Sequence, residues 1–147
     1  MGVMLHRQRR RCALLLPIAV ALAACSQSSA GISHYFHATG RMSVDLAQAA
    51  PSEWDRVCVI GPYMADRHAE EIIGFAWPVE RRTSIDRNDG ITLLLFIHRN
   101  RVVQHVEHPR RQGDFAGLAG RCFNRDEAKF KRAEGRADDW PELVPAP

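Results

Sequence analysis

The sequence predicts a small α+β domain, and three observations carry that prediction. Residues 91–97, Ile-Thr-Leu-Leu-Leu-Phe-Ile, form a nearly unbroken apolar run between two turn signals. Residues 63–73 repeat alanine and isoleucine at helical spacing. Two cysteines, Cys58 and Cys122, lie far apart in two short apolar segments. Runs of strands interleaved with a few helices favour a mainly antiparallel sheet over a parallel one. The expected domain covers residues 41–133: four or five strands, helices packed on one face of the sheet, and one disulfide.

Each element has its own reason. Residues 43–50 predict a short helix, with Ser43 as N-cap and Pro51 as stop. Val57, Cys58, Val59 and Ile60 are continuously apolar, which suits a buried strand. Gly61-Pro62 turns the chain. In residues 63–73, Ala65, Ala69, Ile72 and Ile73 share a helical face that Ala76 would extend, while Asp66, Arg67, Glu70 and Glu71 lie mostly off it. Asp66 sits where the helix dipole favours an anion. Gly74 is a natural C-terminal stop, and Pro78 prevents continuation.

Residues 79–85 alternate weakly and predict an outer strand. Asn88-Asp89-Gly90 is a turn. The run 91–97 then reads as a central strand covered on both faces at least in part. Arg99-Asn100 predicts a two-residue turn, residues 101–107 the returning strand, and Pro109 its end. An unbroken hairpin would pair Leu94 with His105 and Thr92 with Glu107. It would send Leu93, Leu95 and Ile97 to the core with Val102 and Val106. Residues 113–120 predict a loop with one helical turn, and residues 121–123 a short strand holding Cys122. Asn124 and Glu127 have the spacing of a capping box, so a helix is expected to about Ala133. Residues 134–147 contain three prolines and predict a disordered tail.

The first 25 residues differ from the rest. Arg7, Arg9, Arg10 and Arg11 precede an apolar run from Ala13 to Ala24 that only Pro17 interrupts. About 20 apolar residues are needed to cross a bilayer, so this run reads as a secretory signal, residues 1–24. It ends Leu22-Ala23-Ala24-Cys25. That tetrapeptide resembles the lipobox of bacterial lipoproteins. The resemblance implies cleavage before Cys25 and lipidation of its thiol. One acyl chain holds a protein only marginally, whereas the two or three chains of that family hold it durably. Ser26 stands where, in the same family, Asp retains lipoproteins in the inner membrane; it implies the outer membrane, facing the periplasm. Residues 25–40 are then the lipidated cysteine and a flexible tether rich in Ser, Ala, Gly and His, reaching about 20 Å. The remainder resembles the small lipoproteins of Gram-negative bacteria, a resemblance that implies no particular activity.

The formal charge of +3 misleads, because four of the 20 basic residues and none of the 17 acidic ones lie in the leader. The mature part carries 16 basic against 17 acidic residues, a balance of −1. Nucleic-acid binding needs a basic surface and is not expected. An even pair of cysteines in an exported domain reads as a disulfide, Cys58–Cys122.

Chemistry-bearing residues are few. No metal or cofactor site is expected. Neither remaining cysteine has a second cysteine or a histidine at ligand spacing. His34 and His37 share a flexible segment, and His105 and His108, three apart on a strand, point to opposite faces. Nucleophile, phosphate-loop and dinucleotide signatures do not occur. His105 and Glu107 share a strand face and form the one pair suited to general acid–base work. Arg81, Arg82, Arg99, Arg101, Arg110 and Arg111 fall near predicted strand ends. Their ordinary role is solubility and protection of sheet edges, and the alternative is a patch for an anionic partner. Trp54, Phe75 and Trp77 bracket the first helix as core aromatics. The expected function is that of an envelope lipoprotein with a binding or accessory role. It would contact an envelope protein or an anionic envelope component. The alternatives are a small envelope enzyme using His105 and Glu107, or an inhibitor of a hydrolase.

Overall fold

A computed structural model describes residues 29–50, 52–135 and 139–147. The expected signal segment, Cys25 and Ser26 lie outside the described residues. The fold is α+β. In chain order it runs α1 Ala30–Ala38, β1 Ser43–Asp45, α2 Leu46–Ala49, β2 Arg56–Ile60, α3 Asp66–Ile73, α4 Val79–Arg82, β3 Ile91–His98, β4 Arg101–Pro109, β5 Cys122–Asn124, β6 Lys129–Arg132 and β7 Leu143–Pro145. Two 3-10 turns, Arg110–Gln112 and Ala116–Leu118, link β4 to β5.

The main sheet has the order β4-β3-β2-β5 and a second, smaller sheet the order β1-β6-β7, both antiparallel. The first seven residues of β3 are all buried, as its two-sided apolar sequence requires. Alternate β3 side chains enter two separate cores. Leu93, Leu95 and Ile97 pack with Cys58, Ile60, Ala69, Ile73, Trp77, Val79 and Ile85, under α3 and α4. Leu94 and Phe96 pack with Ile32, Phe36, Leu46, Trp54, Phe115, Phe130 and Leu143, under α1, α2 and the small sheet. Helices therefore cover both faces of the sheet, not one.

Helix α3 matches its sequence pattern. Ala69 and Ile73 are buried, and Gly74 ends the helix at φ 87°, where any other residue would be strained. Reciprocal bonds tie α3 to α4: the Asp66 N–H donates to Glu80 Oε2 (3.1 Å) and the Glu80 N–H to Asp66 Oδ1 (2.9 Å). This exchange makes residues 79–82 a helical turn rather than the expected strand, since an acidic side chain satisfies an open N–H at each helix start.

Four further segments depart from expectation, all outside the central sheet. Residues 30–38 form α1 rather than a flexible tether, because Ile32 and Phe36, one turn apart, are buried at 2% and 0% exposure. Residues 43–45 are a strand, and the helix begins only at Leu46, capped by the Asp45 carboxylate accepting from the Ala47 N–H (2.9 Å). Asn124 and Glu127 do form one capped turn. No helix follows, because Ala128 and Phe130 are buried while Lys129 and Lys131 are exposed, a period of two that makes β6. The segment expected as a disordered tail supplies β7, where Leu143 is fully buried and pairs opposite Arg132.

Cys58 and Cys122 are bonded, as the sequence predicts. They face each other directly across β2 and β5, with a Cα separation of 4.0 Å. That is just under the usual 4.4–6.8 Å of bridged cysteines. It follows from their direct opposition on neighbouring strands, where close pairs sit near 4.5 Å.

The β3–β4 hairpin turns at Arg99-Asn100, both at positive φ as a tight hairpin turn demands. The register shifts between Phe96 and Ile97: Ile97 opposes Val102, but Phe96 opposes Gln104. Val103 is thus an extra residue, a β-bulge. Beyond it Leu95 opposes His105 and Leu93 opposes Glu107, not the Leu94–His105 and Thr92–Glu107 pairs of an unbroken hairpin. Val106 moves to the opposite core from Val102 for the same reason.

Candidate functional site

A concavity among the described residues lies where the C-terminal end of α1, the turn after β4 and the segment before β7 meet. It is a cleft of about 370 Å³ lined by Arg41, Arg111, Gln112, Asp139 and Trp140. Each wall is held by local structure. At the end of α1, Gly40 and Arg41 both adopt left-handed φ, 67° and 64°. Thr39 fixes this reversal, its hydroxyl lying 2.9 and 2.8 Å from the Phe36 and Ser43 carbonyls, which share its one proton. Arg41 folds back over the Phe36 ring at 5.7 Å and donates through Nη2 to the Arg111 carbonyl (3.0 Å).

The second wall is the 3-10 turn Arg110–Gln112. Its centre is Asp114, 7% exposed. The Asp114 carboxylate accepts Arg110 Nε and Nη2 in a two-point pair, each bond 2.9 Å, and also the Ala116 N–H at 2.9 Å. The Asp114 main chain reaches the third wall: its N–H donates to the Pro141 carbonyl (2.8 Å), and its carbonyl accepts the Leu143 N–H (2.9 Å). Gly113, at φ 122°, makes this approach possible, because a Cβ there would sit 3.0 Å from Leu143 Cδ1. Arg110 completes the joint by donating Nη1 to the Asp89 carbonyl (2.9 Å) and lying 3.9 Å above the Trp140 ring. Gln112 is set by His37, whose Nε2 donates to its amide oxygen at 2.6 Å.

The electrostatics follow from this bonding. Asp114 neutralises Arg110. Arg41 and Arg111 have no ion pair among the described residues. The cleft therefore offers two guanidinium groups against one carboxylate, Asp139, beside an indole and an amide. It contains no nucleophile next to a base. It can bind and orient a ligand.

The pair singled out in the sequence sits elsewhere and is occupied. Both Glu107 carboxylate oxygens accept from Ser84, one from its N–H and one from its hydroxyl (3.2 Å). His105 is 6% exposed, packed against Trp77 with ring centroids 5.2 Å apart. Burial lowers its pKa, and the Arg82 charge lowers it further, against a smaller opposing effect of Glu107. His105 and Glu107 share a face, as their spacing requires, but each serves packing or capping. On the other face His108 is fully buried against Phe115, with Nε2 3.2 Å from the Gln112 carbonyl. Burial pushes its pKa down to about 4.

The six arginines near strand ends do not form one patch. Arg81 and Arg82 lie on α4, Arg99 and Arg101 at the hairpin tip, and Arg110 and Arg111 at the far end of β4. Only Arg111 of these lines the cleft. Arg41 and Trp140 were not singled out in the sequence. Arg41 opens the expected domain and Trp140 falls in the expected tail, so nothing in their spacing brings them together. Among the described residues no group of three or more His, Cys, Asp or Glu side chains is placed to hold a metal ion. No described helix is long and apolar enough to cross a membrane. No family model, no curated protein and no solved structure matches this chain.

Proposed function

We propose that this protein is an envelope lipoprotein, anchored by lipid on Cys25 to the outer membrane and facing the periplasm. Its role there is binding or accessory, and its cleft takes an anionic envelope component. The observation that carries the binding reading is the convergence of Arg41 and Arg111, without ion pairs among the described residues, beside Trp140. Uncompensated guanidinium groups in a concave, rigidly held site suit an anionic ligand. The lipobox-like leader supports the anchor, and the Cys58–Cys122 bond suits an oxidising compartment. The two bonds from Ser84 to the Glu107 carboxylate support the binding reading over an enzyme that uses His105 and Glu107.

Two measurements test this reading in intact cells. Labelled palmitate should appear on the wild-type protein, which should fractionate with outer membranes, and neither should hold for Cys25→Ala. A mature-sized Cys25→Ala protein in the membrane fraction would overturn the anchor. A photo-crosslinking residue at position 111 should give a discrete adduct that the same residue at position 81 does not. Identical patterns at both positions would remove the cleft from the proposal.

A further inference from the structure

Resting on the anchor reading of Cys25, we infer that the domain stands on its membrane on the hairpin-tip end of the main sheet. The cleft is then held at the opposite end, away from the lipid that anchors it. The first observation is how little chain separates Cys25 from the fold. Helix α1 begins at Ala30, and Ile32 and Phe36 seat it in the core. Four residue steps lead from Cys25 to Ser29, a span of at most about 14 Å when fully extended. The headgroup layer takes up about 5–7 Å of that span. The start of α1 therefore stays within about 10 Å of the lipid surface.

Contacts along α1 fix which end of the domain that is. At its start, Gly31 lies so close to the end of α2 that a Cβ there would meet the Ala49 carbonyl oxygen at 2.6 Å. From Ala49 the chain leads to the hairpin tip: Ser52 donates to Gln104 Oε1 (2.6 Å), and Asp55 Oδ2 accepts the Arg99 N–H (2.8 Å). Arg125 closes the same corner. Its N–H donates to the Asp55 carbonyl (2.9 Å), and its side chain to the Ser52 and Ala47 carbonyls (2.8 and 3.2 Å). At the other end of α1, His37 and Arg41 reach Gln112 and Arg111, past the far end of β4. Helix α1 thus runs along the sheet from the tip end to the cleft end. Strand β4 has nine residues, which puts its two ends about 25 Å apart.

The rival arrangement lays α1 flat on the lipid and brings the cleft down with it. A helix that lies in the interface has a large apolar side and a polar side rich in Lys and Arg. The exposed residues of α1 are Ala30, Gly31, His34, His37 and Ala38, which supply neither. At the hairpin tip, by contrast, Arg99, Asn100 and Arg101 are all exposed, and neither arginine makes an ion pair among the described residues. Their guanidinium groups suit lipid phosphates. Exposed Glu53 and Asp126 lie at the same end, so its charge is mixed and the covalent anchor supplies the attachment. This orientation settles the direction from which the cleft is filled. Headgroups of the anchoring leaflet stay near the tip, so an anionic component reaches Arg41 and Arg111 from the side away from that leaflet.

The test uses the full mature protein isolated from membranes, with the lipid on Cys25 checked by mass spectrometry. It is placed in vesicles of phosphatidylethanolamine and phosphatidylglycerol that contain a lipid spin-labelled on its headgroup. Cys58 and Cys122 are bonded to each other, so Arg101→Cys or Arg111→Cys supplies one thiol for a fluorophore. Both positions are exposed, and the fold should tolerate either change. Emission at position 101 should be quenched several-fold more than at position 111. Quenching at 111 should stay low as the share of phosphatidylglycerol is raised. Inserting about ten glycine and serine residues before Ser29 adds a flexible reach of about 17 Å, and it should lower the quenching at 101 toward that at 111. Quenching at 111 that equals or exceeds that at 101, or that climbs with phosphatidylglycerol, overturns the inference, as does an insertion without effect. In each of those cases a lipidated Cys25 leaves the anchor standing. An unmodified Cys25 removes the anchor, and this orientation with it.

Discussion

Replacing Asp114 by alanine should destabilise the protein by about 3 kcal/mol, and the structure indicates where that figure comes from. The substitution removes both bonds from Arg110 and the acceptor for the Ala116 N–H. Arg110 then keeps its charge in a place where its side chain is only 18% exposed, beside an Asp114 side chain that is 10% exposed. Breaking a buried pair from one side costs about 3–5 kcal/mol because the partner charge is left uncompensated. The residual exposure and the retained Asp89 carbonyl and Trp140 contacts of Arg110 place the loss at the low end. A domain of this size should lose about 10 °C or more in Tm. Urea unfolding followed by tryptophan fluorescence measures it. The double variant Arg110→Leu/Asp114→Ala should be less unstable than the sum of its single changes, with a coupling of about 1–2 kcal/mol. A loss below about 1 kcal/mol, or strict additivity, would refute the role given to this pair.

Three further outcomes follow from other parts of the fold. The Cys58–Cys122 bond closes a loop of 64 residues, so Cys58→Ala/Cys122→Ser should cost about 4 kcal/mol by loop-closure entropy; an unchanged urea midpoint after reduction would contradict this. Leu95 is fully buried between Cys58 and His105, and Leu95→Asp should prevent folding by burying an unpaired charge; a soluble variant with a wild-type unfolding curve would count against the two-core arrangement. His108 stays neutral in the folded protein down to about pH 4, whereas in the unfolded chain it takes its proton near pH 6.5. Between those values the unfolded state binds more protons, so stability should be complete above about pH 6.5 and fall toward pH 4, by on the order of 3 kcal/mol. The buried His105 adds a loss of the same sign. Urea curves across this range should flatten in His108→Phe, and an identical slope in that variant would exclude His108 as the source.

The central sheet was legible because burial writes directly into a strand. Seven apolar residues in a row at 91–97 admit no solvated face, and the cysteine pair announced its partner strands. Helix α3 was legible for the same reason, with one polar and one apolar side. The small sheet was not. Its strands are three or four residues long, and β6 shows its alternation only through Ala128 and Phe130, beneath an Asn124–Glu127 cap that signals a helix. The bulge at Val103 left no mark either, since Val102 and Val103 are chemically alike and only the partner strand distinguishes them. That single residue decided which core His105 and Glu107 adjoin. The cleft was least legible. Its walls come from residues 41, 111–112 and 139–140, three segments far apart in the sequence, and the pairing of β1, β6 and β7 brings the first and last of them close together.

The small sheet also bears on when the chain can fold. Its outer strands, β1 and β7, are residues 43–45 and 143–145, and both must reach β6 before the second core is closed. Leu143, fully enclosed in that core, can join it only after every strand of the main sheet has been made. Pairings over such distances form slowly compared with local ones. A nascent chain not yet extended to Leu143 therefore leaves the core around Leu94 and Phe96 incomplete. Under the export proposed above, this late closure keeps the chain open for passage across the membrane.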